Sequence, residues 1–166
     1  MADAGEVMRG RAWAFGHDIS TDLLSPGTYA VDSLEVRMIH TLESVSPAFA
    51  SSVEAGDVVI AGRNFGCGSS RETAAENLKA LGVACVAAES LSRLFMRNAV
   101  AIGLPVLICP GVHEAFADGD EVEIDLAEGT ITSGEHRLKG EPLPPAMRDI
   151  LAAGGILAAL DSQIAG

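Results

Sequence analysis

Aromatic residues are scarce: one Trp, one Tyr and five Phe make up 4% of 166 residues. A core built from this chain must therefore consist mainly of Val, Ile, Leu and Ala. Cationic side chains are few as well, 11 Lys and Arg against 23 Asp and Glu, for a formal net charge of −12. That balance argues against a nucleic-acid partner gripped through its phosphates. It also means that an anionic ligand must be held by a few local cations against a repulsive overall field. Long apolar runs are missing. Val83–Ala88, Ala99–Ile102 and Gly155–Leu160 all fall far short of the length that crosses a bilayer. The start, MADAGEVMRGR, has no basic stretch followed by an apolar one, so no secretory leader is read there and a cytoplasmic chain is expected. Cysteine is limited to Cys67, Cys85 and Cys109 with no CxxC, which argues against a disulfide framework and for a reducing compartment. Spacing defines no metal site. Cys85 and Cys109 lie in the apolar runs VACVAA and PVLICP, where a thiol serves as a small buried hydrophobe.

What remains is a globular composition, 48% hydrophobic and 20% charged, of a length that suits one domain over residues 1–166. Met8–Phe15 reads as a strand, followed by the polar loop HDISTDLLSPG. Ser33–Leu42 has a helical pattern capped by Asp32 or Ser33, and a short helical piece near Pro47–Val53 leads to a turn at Gly56-Asp57. Val58–Ala61 is a buried strand, and after the loop GRNFGCG a helix is expected from Ser69 to about Leu81, closed by Gly82. Val83–Ala88 is the next buried strand, Ser90–Ile102 a helix ended by Gly103, and Pro105–Ile108 a further strand. This alternation implies an α/β fold with a parallel βαβ core and right-handed crossovers. Beyond Pro110, GDEVEIDLAEGTITSGEHRLKG alternates apolar and polar residues with turns at Glu128-Gly129 and Ser133-Gly134, a small antiparallel meander with one solvated face. One or two short helices follow Pro144-Pro145.

The segment richest in chemistry is Gly62-Arg63-Asn64-Phe65-Gly66-Cys67-Gly68-Ser69-Ser70-Arg71-Glu72. Gly66 and Gly68 permit positive φ and let the backbone approach a ligand. Ser69 and Glu72 have the spacing of a capping box. A helix start of this kind presents N–H groups to a carboxylate or phosphate, and Arg71 adds a guanidinium fork. The segment is not a Walker A loop, since no Lys follows the glycines, nor GxGxxG, nor the GxSxG elbow. Local chemistry alone leaves two readings level: a ligand-binding turn, or simply a well-capped helix after a tight turn.

Three ordered blocks carry a resemblance that spans roughly Arg9 to Leu160. NFGCGSSRE between strand and helix resembles the signature of isopropylmalate dehydratase small subunits and of the matching swivel domain of aconitases. Asp18-Ile19-Ser20-Thr21-Asp22 with Ser25-Pro26 is similar to that family's early D-x-x-T-D loop. Ala88-Glu89-Ser90 through Arg93, Phe95, Arg97 and Asn98, then Gly103-Leu104-Pro105, is similar to its AES-x-x-R-I-F-x-R-N…GLP stretch.

The resemblance implies a swivelling β/β/α domain and a hydro-lyase that interconverts 2- and 3-isopropylmalate in leucine biosynthesis. It implies Ser69 as catalytic base, Asp22 as the catalytic acidic residue of the early loop, a position that an Asx turn before a helix explains equally well, and Ser70, Arg71 and Ser25 as substrate binders. Substrate choice falls to the loop after the TD motif, here Thr28, Tyr29, Ala30 and Val31. Small apolar residues there, with no arginine between Pro26 and Glu35, suit an alkyl group better than an extra carboxylate. Homoaconitate or another alkylmalate is the alternative substrate, and a non-catalytic swivel module or a free-standing anion-binding domain the alternative role. No metal ligand or cofactor is expected in this chain. The family's [4Fe–4S] cluster belongs to a large subunit, the expected partner in a heterodimer or heterotetramer acting on a small dicarboxylate or hydroxy acid. Arg93 and Arg97 are expected to tie their helix to neighbours or to that partner, and His17, beside the early loop, is the one histidine considered for the site, with solvent exposure the favoured reading.

Overall fold

The computed structural model describes residues 7–165. Its centre is a seven-stranded mixed sheet of order β4-β3-β2-β1-β5-β6-β7. Strand β1 (Val7–Ala14) runs parallel to β2 (Val58–Ala61), which pairs in parallel with β3 (Cys85–Ala88), and that with β4 (Val106–Ile108). On its other edge β1 pairs antiparallel with β5 (Glu121–Asp125), which continues into β6 (Thr130–Ser133) and β7 (His136–Lys139). The expected parallel core and meander are both present. They are one sheet rather than two units, because β1 supplies an edge to each.

Burial follows pairing. Every residue of β2 and β3 is buried, as befits parallel strands covered on both faces. In β5 burial alternates, Val122 and Ile124 inward and their neighbours partly or fully exposed, the half-solvated pattern that its sequence displays. The few aromatics are concentrated rather than scattered. Trp13 and Phe15 meet Phe49 edge-on at ring centroid distances of 5.2 and 5.6 Å, and Phe65 meets Phe95 at 5.1 Å.

The helices are shorter than the sequence suggests. A single turn, α1 (Thr21–Leu24), and a 3₁₀ turn, Gly27–Tyr29, occupy the early loop. The helix expected over Ser33–Leu42 is only α2 (Leu34–Met38), capped by Ser33. After Met38 the N–H groups of His40 and Thr41 turn to the i−3 carbonyls of Arg37 and Met38, and at Leu42 the chain leaves the helical path altogether, with φ +59, a fully buried side chain and its N–H on Leu23 O. Helix α3 (Phe49–Ser52) is one turn, α4 spans Glu72–Ala80, α5 Arg93–Ala101 and α6 Val112–Ala115. At the end come α7 (Pro145–Ala153), with Pro145 in its first turn, and α8 (Ile156–Ala165). Gly82 and Gly103 follow α4 and α5 at φ +92 and +83, the left-handed positions read from the sequence. Among the described residues, no helix is long and apolar enough to cross a membrane.

Candidate active site

Because β1, β2 and β3 are parallel, the segments that leave their carboxyl ends emerge on one side of the sheet, where open α/β sheets bind ligands. Those segments are the three blocks singled out in the sequence: the early loop after β1, the glycine turn after β2 and the AES segment after β3. They are stitched together by main-chain hydrogen bonds. Asp18 N–H donates to Arg63 O (2.9 Å), Gly66 N–H to Ile19 O (2.7 Å) and Thr21 N–H to Cys67 O (2.8 Å). On the other flank Phe65 N–H donates to Ser90 O (3.1 Å) and Ser92 N–H to Phe65 O (2.9 Å). The glycine turn is thus the middle strip of three.

The turn rests on Phe65 and Phe95. A Cβ on Gly66 would lie 2.3 Å from Phe95 Cβ, and Gly66 holds φ +80, so sterics and conformation both require glycine. Above this floor Gly68, Ser69 and Ser70 are exposed. The turn presents an open face and is not buried under its own chain.

One local expectation fails. Helix α4 begins at Glu72 with Arg71 as its N-cap and no side-chain cap, so Ser69 and Glu72 form no capping box. Gly68 at φ +102 turns the chain away from the helical path, and the Ser69 hydroxyl is engaged elsewhere, 3.1 Å from Thr21 Oγ1. Ser69 therefore stands three residues ahead of the helix. The uncapped first-turn N–H groups are left for a ligand or solvent.

Arg71 is held from both sides of the early loop. Its Nη1 donates to Asp22 Oδ1 at 2.8 Å and to Ser25 O at 3.0 Å. Asp22 is exposed, and the same oxygen accepts Gly27 N–H at 3.1 Å. The hydrogen bond from Arg71, helped by that from Gly27, holds the Asp22 carboxyl below its ordinary value of 3.8. One nitrogen of the Arg71 fork is thereby occupied, leaving the others for a ligand. Ser25 is only 2% exposed and shares a hydrogen bond with Thr73 Oγ1 (2.8 Å), so in this chain it faces α4 and steadies Arg71 through its carbonyl. Asn98 Nδ2 donates to Ser70 O at 3.3 Å, tying the turn to α5.

The segment expected to set specificity stands beside this network. Thr28, Ala30 and Val31 are exposed, Val31 by 97%, while Tyr29 is half-buried with its ring against His40. His17, beside the early loop, is exposed, the favoured reading of it. Its Nδ1 accepts Arg63 N–H at 2.8 Å, and its ring lies 4.8 Å from that of His113. Arg93 and Arg97 are both exposed on α5.

Thr21, Thr73, Asn64 and Asn98 were assigned no role from sequence, although Thr21, Asn64 and Asn98 lie inside the quoted blocks. Thr21 and Thr73 act through partners 48 residues away, which no local pattern reveals. Asn64, at φ +64, donates to Asp18 Oδ1 at 3.1 Å.

The cysteines do not make a metal centre. Burial pushes the Cys85 thiol far up, and burial together with nearby Glu89 raises Cys109 to about 11, so neither is a ready thiolate. Among the described residues, no three His, Cys, Asp or Glu side chains are grouped to hold an ion. The donor set of this chain does not fit an iron–sulfur cluster, which requires several thiolates together.

Comparison with known proteins bears on the family and the fold. Residues 38–109 match the Aconitase C-terminal domain. A 3-isopropylmalate dehydratase small subunit of Methanopyrus kandleri is 49% identical over 92% of this chain and 91% of its own. The chain belongs to the family of 3-isopropylmalate dehydratase small subunits. Within it, a homoaconitase small subunit of Methanothermobacter thermautotrophicus is 46% identical over 96% of both chains. The crystal structure of a 3-isopropylmalate dehydratase chain from Methanocaldococcus jannaschii superposes with a TM-score of 0.91 at 37% identity, covering 96% of each. That agreement covers the mixed sheet and its helices together. The family is one of hydro-lyases, and its members carry small-subunit names, which imply a larger partner.

Proposed function

We propose that residues 1–166 act as one swivel domain, the small subunit of a hydro-lyase that interconverts 2- and 3-isopropylmalate with a separate iron–sulfur large subunit. The observation that carries this reading is the open turn Gly68–Ser70, with the Ser69 hydroxyl beside Thr21 and the Arg71–Asp22 pair next to it.

The reaction breaks a C–H bond adjacent to a carboxylate and the C–O bond of a hydroxyl on the neighbouring carbon, and forms a C=C bond. Water then adds back with the hydroxyl on the other carbon. Ser69 Oγ takes the proton. A serine oxygen is a strong base only as its alkoxide, so that charge needs donors fixed in advance. The Thr21 hydroxyl and the nearby Arg71 cation are such donors, and the uncapped start of α4 adds its partial positive charge. The free part of the Arg71 fork and the Ser70 hydroxyl take the substrate carboxylate. Asp22 and Ser25 keep the guanidinium aimed, so Ser25 serves binding through Arg71. Ala30 and Val31 face the alkyl group. A [4Fe–4S] cluster held by the large subunit would supply Lewis-acid polarisation of the departing hydroxyl.

The homoaconitase relative supports a second substrate, but homoaconitate adds a carboxylate, for which the segment from Pro26 to Glu35 offers no arginine. The test is anaerobic reconstitution with the large subunit, followed over a panel of alkylmalates and homoaconitate. Ser69→Ala is expected to lower kcat by about 10³-fold while KM stays near the wild-type value. Full turnover by that variant removes Ser69 from the role of base.

A further inference from the structure

The segment 26–32 is weakly held along its own backbone. Tyr29 N–H donates to Pro26 O (3.0 Å), Ala30 N–H to Gly27 O (3.1 Å) and Asp32 N–H to Tyr29 O (3.0 Å), all bonds internal to the segment. Its start is tied to the body by Gly27 N–H on Asp22 Oδ1. Half-way along, a different contact takes over. The rings of Tyr29 and His40 lie parallel, 5° apart in orientation, with centroids at 3.6 Å. His40 Nδ1 is 2.7 Å from Glu43 Oε2, so the imidazole is turned and held by a carboxylate three residues on. The turn that carries both residues is itself immobilised, because Leu42 between them is fully buried and bonded through its N–H to Leu23 O. A chain of contacts therefore runs from the core through Leu42 to His40, and from His40 to Tyr29. Ala30 and Val31 follow directly.

We infer that His40, oriented by Glu43, is a positioning residue that sets which alkyl group the complex accepts by fixing Tyr29 and hence Ala30 and Val31. The two ring faces lie in van der Waals contact over their whole width, and both rings are rigid, so little freedom is lost in making the contact. Val31 is 97% exposed and has no packing of its own to hold it, so its position is inherited from Tyr29. Displacing an apolar wall by about 1 Å is enough to change discrimination between alkyl groups. The inference rests on the reading of residues 28–31 as the specificity segment.

The test uses the reconstituted complex with 2-isopropylmalate and citramalate (2-methylmalate), which differ only in the bulk of the alkyl group. His40→Ala is expected to lower kcat/KM for 2-isopropylmalate by about tenfold, through KM, with a smaller change for citramalate. His40→Phe, which keeps a stacking ring, restores the wild-type ratio, and Glu43→Gln gives an intermediate shift. Tyr29 is the single tyrosine of the chain, so its ring protons are an unambiguous NMR probe in the free subunit. They move downfield in His40→Ala as the stacked ring is lost, and remain shifted upfield in His40→Phe. Val31→Ala separates the two layers of the argument. If it changes the substrate ratio and His40→Ala does not, the positioning role is overturned while the segment keeps its function. If neither changes the ratio, the specificity segment is misassigned and the inference falls with it. Failure of His40→Phe to restore the ratio also overturns it, since the stack would not be the operative contact.

Discussion

The two halves of the sheet share β1 yet differ in almost everything else. On one side β2, β3 and β4 are short, parallel and almost wholly buried, and the connections that leave the carboxyl ends of β1, β2 and β3 build the candidate site. On the other side β5, β6 and β7 are joined by tight turns, and β7 is largely exposed along the sheet edge. A parallel strand must return through a crossover, and crossovers bring side chains from distant positions to the same sheet end. A hairpin returns at once and brings nothing new. The difference teaches that chemistry here is a by-product of the connection type. A division also exists within the parallel half. At the amino end of β2, Asp57 accepts from Trp13 Nε1 (2.9 Å) and Glu54 N–H (2.9 Å), with Arg11 at 3.5 Å. That network joins β1 to β2 at the end remote from Ser69, so it bears on stability rather than chemistry.

The sharpest test of the contrast is functional. Arg71→Ala in the reconstituted complex should lower kcat/KM by roughly 10³-fold, since it removes a prepositioned donor from the site. Arg137→Ala on β7 should leave steady-state kinetics unchanged. Next in size is a pair of core truncations compared by chemical denaturation. Phe65→Ala, beneath the glycine turn, is expected to cost about 3–5 kcal/mol, whereas Leu138→Ala on the edge strand should cost about 1–2 kcal/mol. Equal losses would contradict the burial argument.

Smaller still is the acid response at Asp57. Burial alone would push its carboxyl up, but the donors from Glu54 and Trp13 and the Arg11 cation outweigh it and hold it below 3.8. A carboxyl depressed on folding adds stability above its ordinary value and loses that share as pH falls through its folded value. Asp57→Asn should therefore cost about 1–2 kcal/mol at pH 7, with the gap to wild type narrowing towards pH 3 in denaturation curves. The smallest effect belongs to the meander surface. Arg9 and Glu123 pair at 2.8 Å with side chains 76% and 46% exposed, and Arg9→Ala should change stability by less than about 0.5 kcal/mol. A larger loss would show that the antiparallel half depends on its surface more than its burial pattern implies.

Much of this was legible in advance because it depends on short-range pattern. Runs of Val, Ile and Ala marked β2 and β3, alternation marked the meander, and Gly82 and Gly103 marked two helix ends. The three family blocks marked the segments that main-chain hydrogen bonds bring together at one end of the sheet. What local pattern misjudged were helix starts and lengths. Ser69 with Glu72 satisfies the capping-box spacing, yet a contact with Thr21, 48 residues earlier in the chain, and the left-handed Gly68 outweigh it. Past α2 the chain tightens to i−3 bonds and leaves the helical path at Leu42, whose side chain the core takes.

By itself the sequence determined the order of elements, the buried strands, the glycine turn and the family to which the chain belongs, since each is written in neighbouring residues or in motifs of fixed spacing. Only the tertiary structure decided that β1 joins both sheet halves, that Arg71 is clamped by Asp22 and Ser25, and that His40 holds Tyr29. Those contacts link residues from separate segments. Their energies depend on distance in space, which no spacing along the chain encodes.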